Sequence, residues 1–142
     1  MSVKPENTFI QSIHKHLPLG VYRMKNNNPY IGGIPDCWYS GTARDLWVEY
    51  KFLQRVPVRA AVMADLSALQ IQWLNNRYTE GRQVAVIIGC KEGGVILTDL
   101  QWELSQPDFK AQLRDRKALA ESIYRFTMEK QHEKGNVYSL LF

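Results

Sequence analysis

The chain has 142 residues, of which 45% are hydrophobic and 23% are charged. This length suffices for one domain with its own hydrophobic core, and the composition is that of an ordinary globular protein rather than of a disordered segment. The formal net charge of +4 is compatible with a polyanionic partner but does not require one. We therefore expect a single domain over 1–142, with core motifs in 5–98 and a C-terminal helix and tail in 99–142.

Cysteine usage and hydropathy indicate the compartment. Cys37 and Cys90 fit neither a metal knuckle nor a C-x-x-C motif. No apolar run approaches the roughly 20 residues needed to cross a bilayer, and residues 1–7 lack the apolar stretch of a signal peptide. We therefore expect a reduced, cytoplasmic protein with no membrane partner.

The predicted elements alternate between helices and strands. Pro5 and the apolar spacing from Phe9 to Leu17 predict a first helix over 5–17. In chain order there follow a strand at 21–24, a turn at 26–29, strands at 34–39 and 45–53, a helix from Asp65, a strand at 83–90, a hairpin strand at 93–98 and a long helix over 107–131. The apolar end, 137–142, fits either a last strand or a partner surface. This order predicts an α/β fold with helices flanking a mixed central β-sheet.

The predicted strand 45–53 carries charge among bulky apolar residues. Side chains alternate along a strand, so Trp47, Glu49 and Lys51 share one face. An acid and a base two residues apart are expensive to bury for stability alone. Asp36 adds a second carboxylate within the preceding predicted strand, where aspartate is disfavoured. We therefore expect these charged residues to serve chemistry.

Gln70 lies in the middle of a stripe that is expected to be buried. On the helix from Asp65, that stripe comprises positions 66, 69, 70, 73 and 74. A buried amide without partners costs on the order of 1–3 kcal/mol. A cluster of carboxylates, lysine and water would supply partners, and a nearby backbone group is the alternative.

Taken together, these residues resemble the PD-(D/E)xK nuclease superfamily, and within it the virus-type replication-repair (VRR-NUC) branch. The motifs that carry the resemblance are Gly33-Ile34-Pro35-Asp36, Trp47-Val48-Glu49-Tyr50-Lys51, Leu66-Ser67-x-x-Gln70-x-x-Trp73-Leu74 and Val84-Ala85-Val86-Ile87-Ile88. They appear in the family's order and cover about residues 5–90. The resemblance implies a restriction-endonuclease-like three-layer core and a divalent-metal phosphodiesterase. The stretch 52–65 is longer than the family pattern, which leaves the conformation of that loop open.

The resemblance also implies a role for each motif residue. Asp36, Glu49 and the backbone carbonyl of Tyr50 would ligate Mg²⁺ or Mn²⁺, which prefer oxygen ligands. Lys51 would assist the attacking water and stabilise charge on the phosphate. Gln70 would orient Lys51 or that water.

Five further residues are weaker candidates. Glu6 falls where some relatives place an additional acid for the metal, although a solvated glutamate in the first helical turn explains it equally well. Arg55 and Arg59 on the connector, with Arg23 and Lys25 near the start, are candidates for DNA phosphate contacts. An ordinary solvated surface is the alternative for these four.

The function implied by the resemblance is that of a phage-type DNA endonuclease in a bacterial or phage-infected cell. Its expected substrate is branched DNA, such as a Holliday junction or a flap, and the symmetry of a four-way junction favours a homodimer. A nickase, or a nuclease for linear or foreign DNA, would use the same chemistry. A non-catalytic nucleic-acid-binding module with a nuclease-like fold is the alternative from another class.

Overall fold

The computed structural model describes residues 4–26, 32–58 and 60–130. Its elements are three helices, α1 (Pro5–His14), α2 (Ala68–Thr79) and α3 (Arg116–Met128), and five strands, β1 (Tyr22–Lys25), β2 (Cys37–Ser40), β3 (Asp45–Phe52), β4 (Val84–Cys90) and β5 (Gly93–Leu97). Two 3₁₀ turns, Gln101–Glu103 and Lys110–Gln112, lie between β5 and α3. In the part of the chain that the structure describes, we find no helix of the length and hydropathy of a membrane span.

The five strands form one mixed sheet in the order β1-β2-β3-β4-β5. Only β3 and β4 run parallel, and the other neighbours are antiparallel. Parallel neighbours need a crossover connection, which α2 and the loop before it provide. The predicted α/β fold with a mixed central sheet is confirmed.

Two hydrophobic clusters lie on opposite faces of this sheet. On one face α1 and α3 contribute Phe9 and Ile123 to a buried cluster that includes Ile87. On the other face α2 contributes Leu74 to a cluster that includes Val86. The predicted three-layer core of helices, sheet and helix is therefore confirmed.

β3 sorts its side chains between these two faces as the alternation predicts. Val48 and Tyr50 belong to the cluster under α1 and α3. Trp47 packs against the cluster on the α2 side. Glu49 also faces α2, where it accepts a hydrogen bond from that helix, and Lys51 lies beside Glu49. The charged residues of β3 are thus on one face.

Close packing at two glycines fixes the surroundings of β3. Gly33 has a φ of +88°, and a Cβ there would lie 2.6 Å from the carbonyl oxygen of Leu69. At Gly89 of β4, the ring of Phe9 occupies the place that a Cβ would take. Glycine therefore lets the loop before β2 approach α2 and lets α1 approach the sheet.

The predicted long helix over 107–131 is wrong. The side chain of Asp115 accepts a hydrogen bond from the amide of Ala118 and caps α3, which therefore begins at Arg116. Just before it, Arg114 pairs with Gly94 through backbone hydrogen bonds, which requires an extended chain. A long-range pairing thus overrides the helical periodicity.

Three other predicted boundaries shift by three residues each. α2 begins at Ala68 rather than near Asp65, because Ser67 forms a capping box with Gln70. α1 ends at His14 rather than at residue 17, and β2 begins at Cys37 rather than at residue 34. Arg59, most of the turn 26–29 and the segment 137–142 lie outside the described residues.

Candidate active site beside the start of β2

Two carboxylates meet where β3 passes the start of β2. Glu49 is 3% exposed, and its side chain forms a hydrogen bond with that of Asp36. Asp36 Oδ2 also accepts a hydrogen bond of 2.8 Å from the backbone amide of Tyr50. We had expected Asp36 to lie within β2, but it directly precedes that strand. A backbone donor on β3 therefore fixes the first acid against the second.

Burial and mutual repulsion make Glu49 hard to ionise. Burial and the charge of Asp36 together raise the pKa of Glu49 to about 8, while the charge of Lys51 opposes this rise. Lys51 Nζ lies 3.7 Å from Glu49 Oε2. One ammonium group thus faces two acids, and the ionised pair favours an additional cation.

Both ends of the Gln70 amide are engaged. Its Nε2 donates a 3.0 Å hydrogen bond to Glu49 Oε2, and its Oε1 accepts one of 2.9 Å from the amide of Ser67. Gln70 is therefore both a helix cap and a support for Glu49, whereas its expected action on Lys51 or water stays a prediction. The predicted buried stripe is wrong at Leu69, which is 57% exposed.

α1 brings Glu6 into the field of these groups from the opposite layer. Burial and the charge of Asp36 raise the pKa of the half-buried Glu6, while Lys51 and Lys25 lower it. This interaction with Asp36 distinguishes Glu6 from an isolated glutamate in the first turn of a helix. Metal ligation by Glu6 stays a prediction.

The donor chemistry of the acid pair fits a hard divalent cation. Among residues 4–26, 32–58 and 60–130, no group of three or more His, Cys, Asp or Glu side chains is arranged to hold a metal. Mg²⁺ is usually bound by only one or two protein carboxylates, with water and phosphate completing its shell. Asp36 and Glu49 meet that requirement, and ligation by the Tyr50 carbonyl stays a prediction.

The predicted DNA-binding residues lie in different surroundings. Arg23 donates hydrogen bonds to the backbone carbonyl of His14, the last residue of α1, and to two carbonyls of the turn that follows, so its guanidinium stabilises that end of the helix. Lys25 is exposed and donates to the side chain of Asn7. Arg55 is exposed, and Arg59 lies outside the described residues. DNA contact by these residues stays a prediction.

Sequence reasoning missed a buried polar chain behind the acid pair. His14 Nε2 lies 2.7 Å from the Tyr39 hydroxyl, which lies 2.6 Å from that of Tyr50. Burial and, to a smaller extent, the charge of Arg23 lower the pKa of His14 to about 4. His14 is the last residue of α1, and its side chain is only partly buried. The signal for this polar chain was the position of His14 four residues after Ile10, on the apolar stripe of α1.

Comparison with solved structures supports this architecture. Hjc, a Holliday junction resolvase from the archaeal hyperthermophile Archaeoglobus fulgidus, matches with a TM-score of 0.50 and 13% identity, over 85% of this chain and 99% of that chain. At this identity the likeness shows the fold alone, a mixed five-stranded sheet with helices on both faces that matches the restriction-endonuclease-like fold of that neighbour. No family model and no curated protein matches the sequence, so assignment to the VRR-NUC branch stays a prediction.

Proposed function

We propose that this protein is a divalent-metal-dependent DNA endonuclease that acts on branched DNA. The observation that carries the proposal is the hydrogen-bonded pair of Asp36 and Glu49 with Lys51 beside it. Such a cluster disfavours folding unless it is compensated, so we attribute it to catalysis. The fold shared with a Holliday junction resolvase supports this interpretation.

Asp36 and Glu49 are the proposed ligands for Mg²⁺ or Mn²⁺, with the Tyr50 carbonyl and Glu6 as additional ones. When bound, such an ion lowers the pKa of a ligated water and polarises the scissile phosphate. The backbone amide of Tyr50 donates a hydrogen bond to Asp36, and the side-chain amide of Gln70 donates one to Glu49. Both carboxylates are thereby oriented before any ligand arrives.

Lys51 is the proposed catalytic cation. Its side chain is 25% exposed, so the ammonium group can reach both the acid pair and a phosphate that approaches from solvent. There it would orient the attacking water and stabilise negative charge that develops on the phosphate oxygens. By analogy with the superfamily, the products would carry a 5′-phosphate and a 3′-hydroxyl.

Branched DNA is the proposed substrate class because a solved structure with a similar fold is that of a Holliday junction resolvase. A four-way junction presents two equivalent strands, and a two-fold dimer of this chain would place one site on each. On this symmetry argument we propose that the protein acts as a homodimer. On the sequence resemblance we propose that it is of the phage type.

Cleavage of matched DNA substrates tests the proposal. The purified protein is incubated with end-labelled four-way junction, flap, single-stranded and duplex DNA, in Mg²⁺, in Mn²⁺ and in chelator. We expect metal-dependent cutting of the junction and the flap. Equal cutting of plain duplex would contradict structure selectivity, and intact substrates under every condition would contradict the nuclease proposal.

A further inference from the structure

A pocket of about 670 Å³ lies beside the first half of β3. Three arginines, two tryptophans and one acid are among the residues that line it: Arg44, Arg77, Arg82, Trp47, Trp73 and Asp45. We call it the arginine–tryptophan pocket. Because Asp45 is the one acid among the described lining residues, the pocket favours an anionic ligand.

Two of these arginines are incompletely satisfied. The Nε atoms of Arg44 and Arg77 are buried and have no hydrogen-bond partner among the described residues. Buried donors without acceptors are rare in folded proteins and call for a specific explanation. Glu80 Oε2 lies 3.1 Å from the Nη1 atom of Arg77 and not at its Nε. The Arg77 side chain is 42% exposed, so an anion with several acceptor oxygens can approach its guanidinium from solvent.

The aromatic lining adds a second type of contact. The ring centroids of Trp47 and Trp73 are 5.4 Å apart, and Trp38 continues the row 6.1 Å from Trp47. All three side chains are only partly buried, and the guanidinium of Arg77 lies 5.7 Å from the Trp73 ring centroid. Partly exposed aromatic rings beside arginines are the usual means of binding unpaired nucleotides.

The location of the pocket links it to the acid pair. Trp47 and Glu49 lie on one face of β3 and are two residues apart, so their backbone positions are separated by about 7 Å. This is roughly two 3.4 Å steps along one DNA strand. A DNA strand whose scissile phosphate lies beside Glu49 can therefore place a nucleotide in the pocket only a few nucleotides away.

We propose that the arginine–tryptophan pocket binds an unpaired nucleotide of the DNA strand that is cut at the acid pair. The arginines contact its phosphates, and the partly exposed indole rings stack on its base. This inference rests on the proposed nuclease function and adds a source of selectivity to it. A strand that is already unpaired, as at a flap or junction, can place a base there without disrupting base pairs.

Binding of a labelled oligothymidylate in chelator, followed by fluorescence anisotropy, tests the pocket without cleavage. Arg82→Glu changes an exposed residue of the pocket, and Lys117→Glu is its matched control on α3. We expect Arg82→Glu to weaken binding about tenfold or more and to reduce the slope of log affinity against log salt by about 1. Lys117→Glu should change affinity less than about twofold.

Two further variants keep the interpretations separate. Trp73→Leu should weaken oligothymidylate binding about tenfold through lost stacking, with circular dichroism as the check on folding. Glu49→Gln should bind the oligonucleotide as the parent does. Because the assay measures binding and not cleavage, it tests the pocket even if the protein cuts no DNA. If Arg82→Glu binds as tightly as Lys117→Glu, or if inorganic phosphate competes as well as thymidine monophosphate, the pocket proposal is overturned.

Discussion

The two halves of one face of β3 differ in sign and in the way their polar groups are satisfied. Around Glu49 the charges are acidic, and hydrogen bonds from Tyr50 and Gln70 hold the carboxylates. Around Trp47 the charges are mainly cationic, and two buried guanidinium nitrogens have no hydrogen-bond partner in the part of the chain that the structure describes. In the functions that we propose, the first half orients the reacting groups and the second receives a ligand. The two proposed roles then fall on neighbouring positions of a single strand.

Asp36→Asn should produce the largest effect and should affect only the acidic half. Asparagine retains an oxygen to accept the Tyr50 amide but loses the charge that would bind the metal. We expect the single-turnover cleavage rate to fall about a thousandfold, while oligothymidylate binding stays unchanged.

The exposed substitution Glu121→Gln on α3 is the control for a lost negative charge, and it should cut at the parental rate. Parental cleavage by Asp36→Asn would show that the acidic half has been misassigned. A loss of oligonucleotide binding in that variant would show that the two halves do not act separately.

Glu49→Gln should stabilise the metal-free protein while abolishing cleavage. Burial and Asp36 raise the pKa of Glu49 from 4.5 to about 8 in the folded state. Below pH 4.5 Glu49 is protonated in both the folded and the unfolded protein. Between pH 4.5 and about 8 only the unfolded state loses this proton, so the parent loses stability as the pH rises. Glutamine can still accept the Gln70 hydrogen bond. We expect the variant to gain on the order of 2–4 kcal/mol at pH 9, and no gain at pH 4.

Urea unfolding in chelator at both pH values measures this difference. Glu121→Gln should leave the free energy of unfolding nearly unchanged at each pH, because that side chain is exposed. Equal stability of Glu49→Gln and its parent at pH 9 would contradict the unfavourable burial of this carboxylate.

Gly33→Ala should give the smallest of these effects and should sharpen the distinction between the halves. The positive φ and the carbonyl of Leu69 leave no unstrained place for a methyl group. We expect a loss of about 2 kcal/mol in unfolding free energy and slower cleavage, because the loop leads directly to Asp36.

Gly81→Ala is the control, because it has a similar φ of +84° but open space around its Cβ position. It should lose less stability than Gly33→Ala, by the amount that the steric contact contributes. Equal losses at both glycines would show that the close approach to α2 has no cost of its own.

The arrangement of the acidic half was predictable from the sequence because it follows from local patterns along one strand and one helix. Alternation placed Glu49 and Lys51 on one face, and an amide in an apolar stripe indicated a polar partner for Gln70. The pocket was not predictable in this way, because Arg44 and Arg82 lie on separate loops and no periodicity connects them. The helical pattern over 107–131 failed for a related reason, since the pairing of Arg114 with Gly94 is a long-range interaction.

The two hydrogen bonds of the Gln70 side chain link the start of α2 to the position of the Glu49 carboxylate. One carboxamide closes the capping box of α2 and also restrains Glu49. Evolution therefore cannot tune the thermal tolerance of this segment and the orientation of Glu49 independently at this position. Directed-evolution libraries that seek a more stable protein should leave residue 70 fixed and diversify elsewhere.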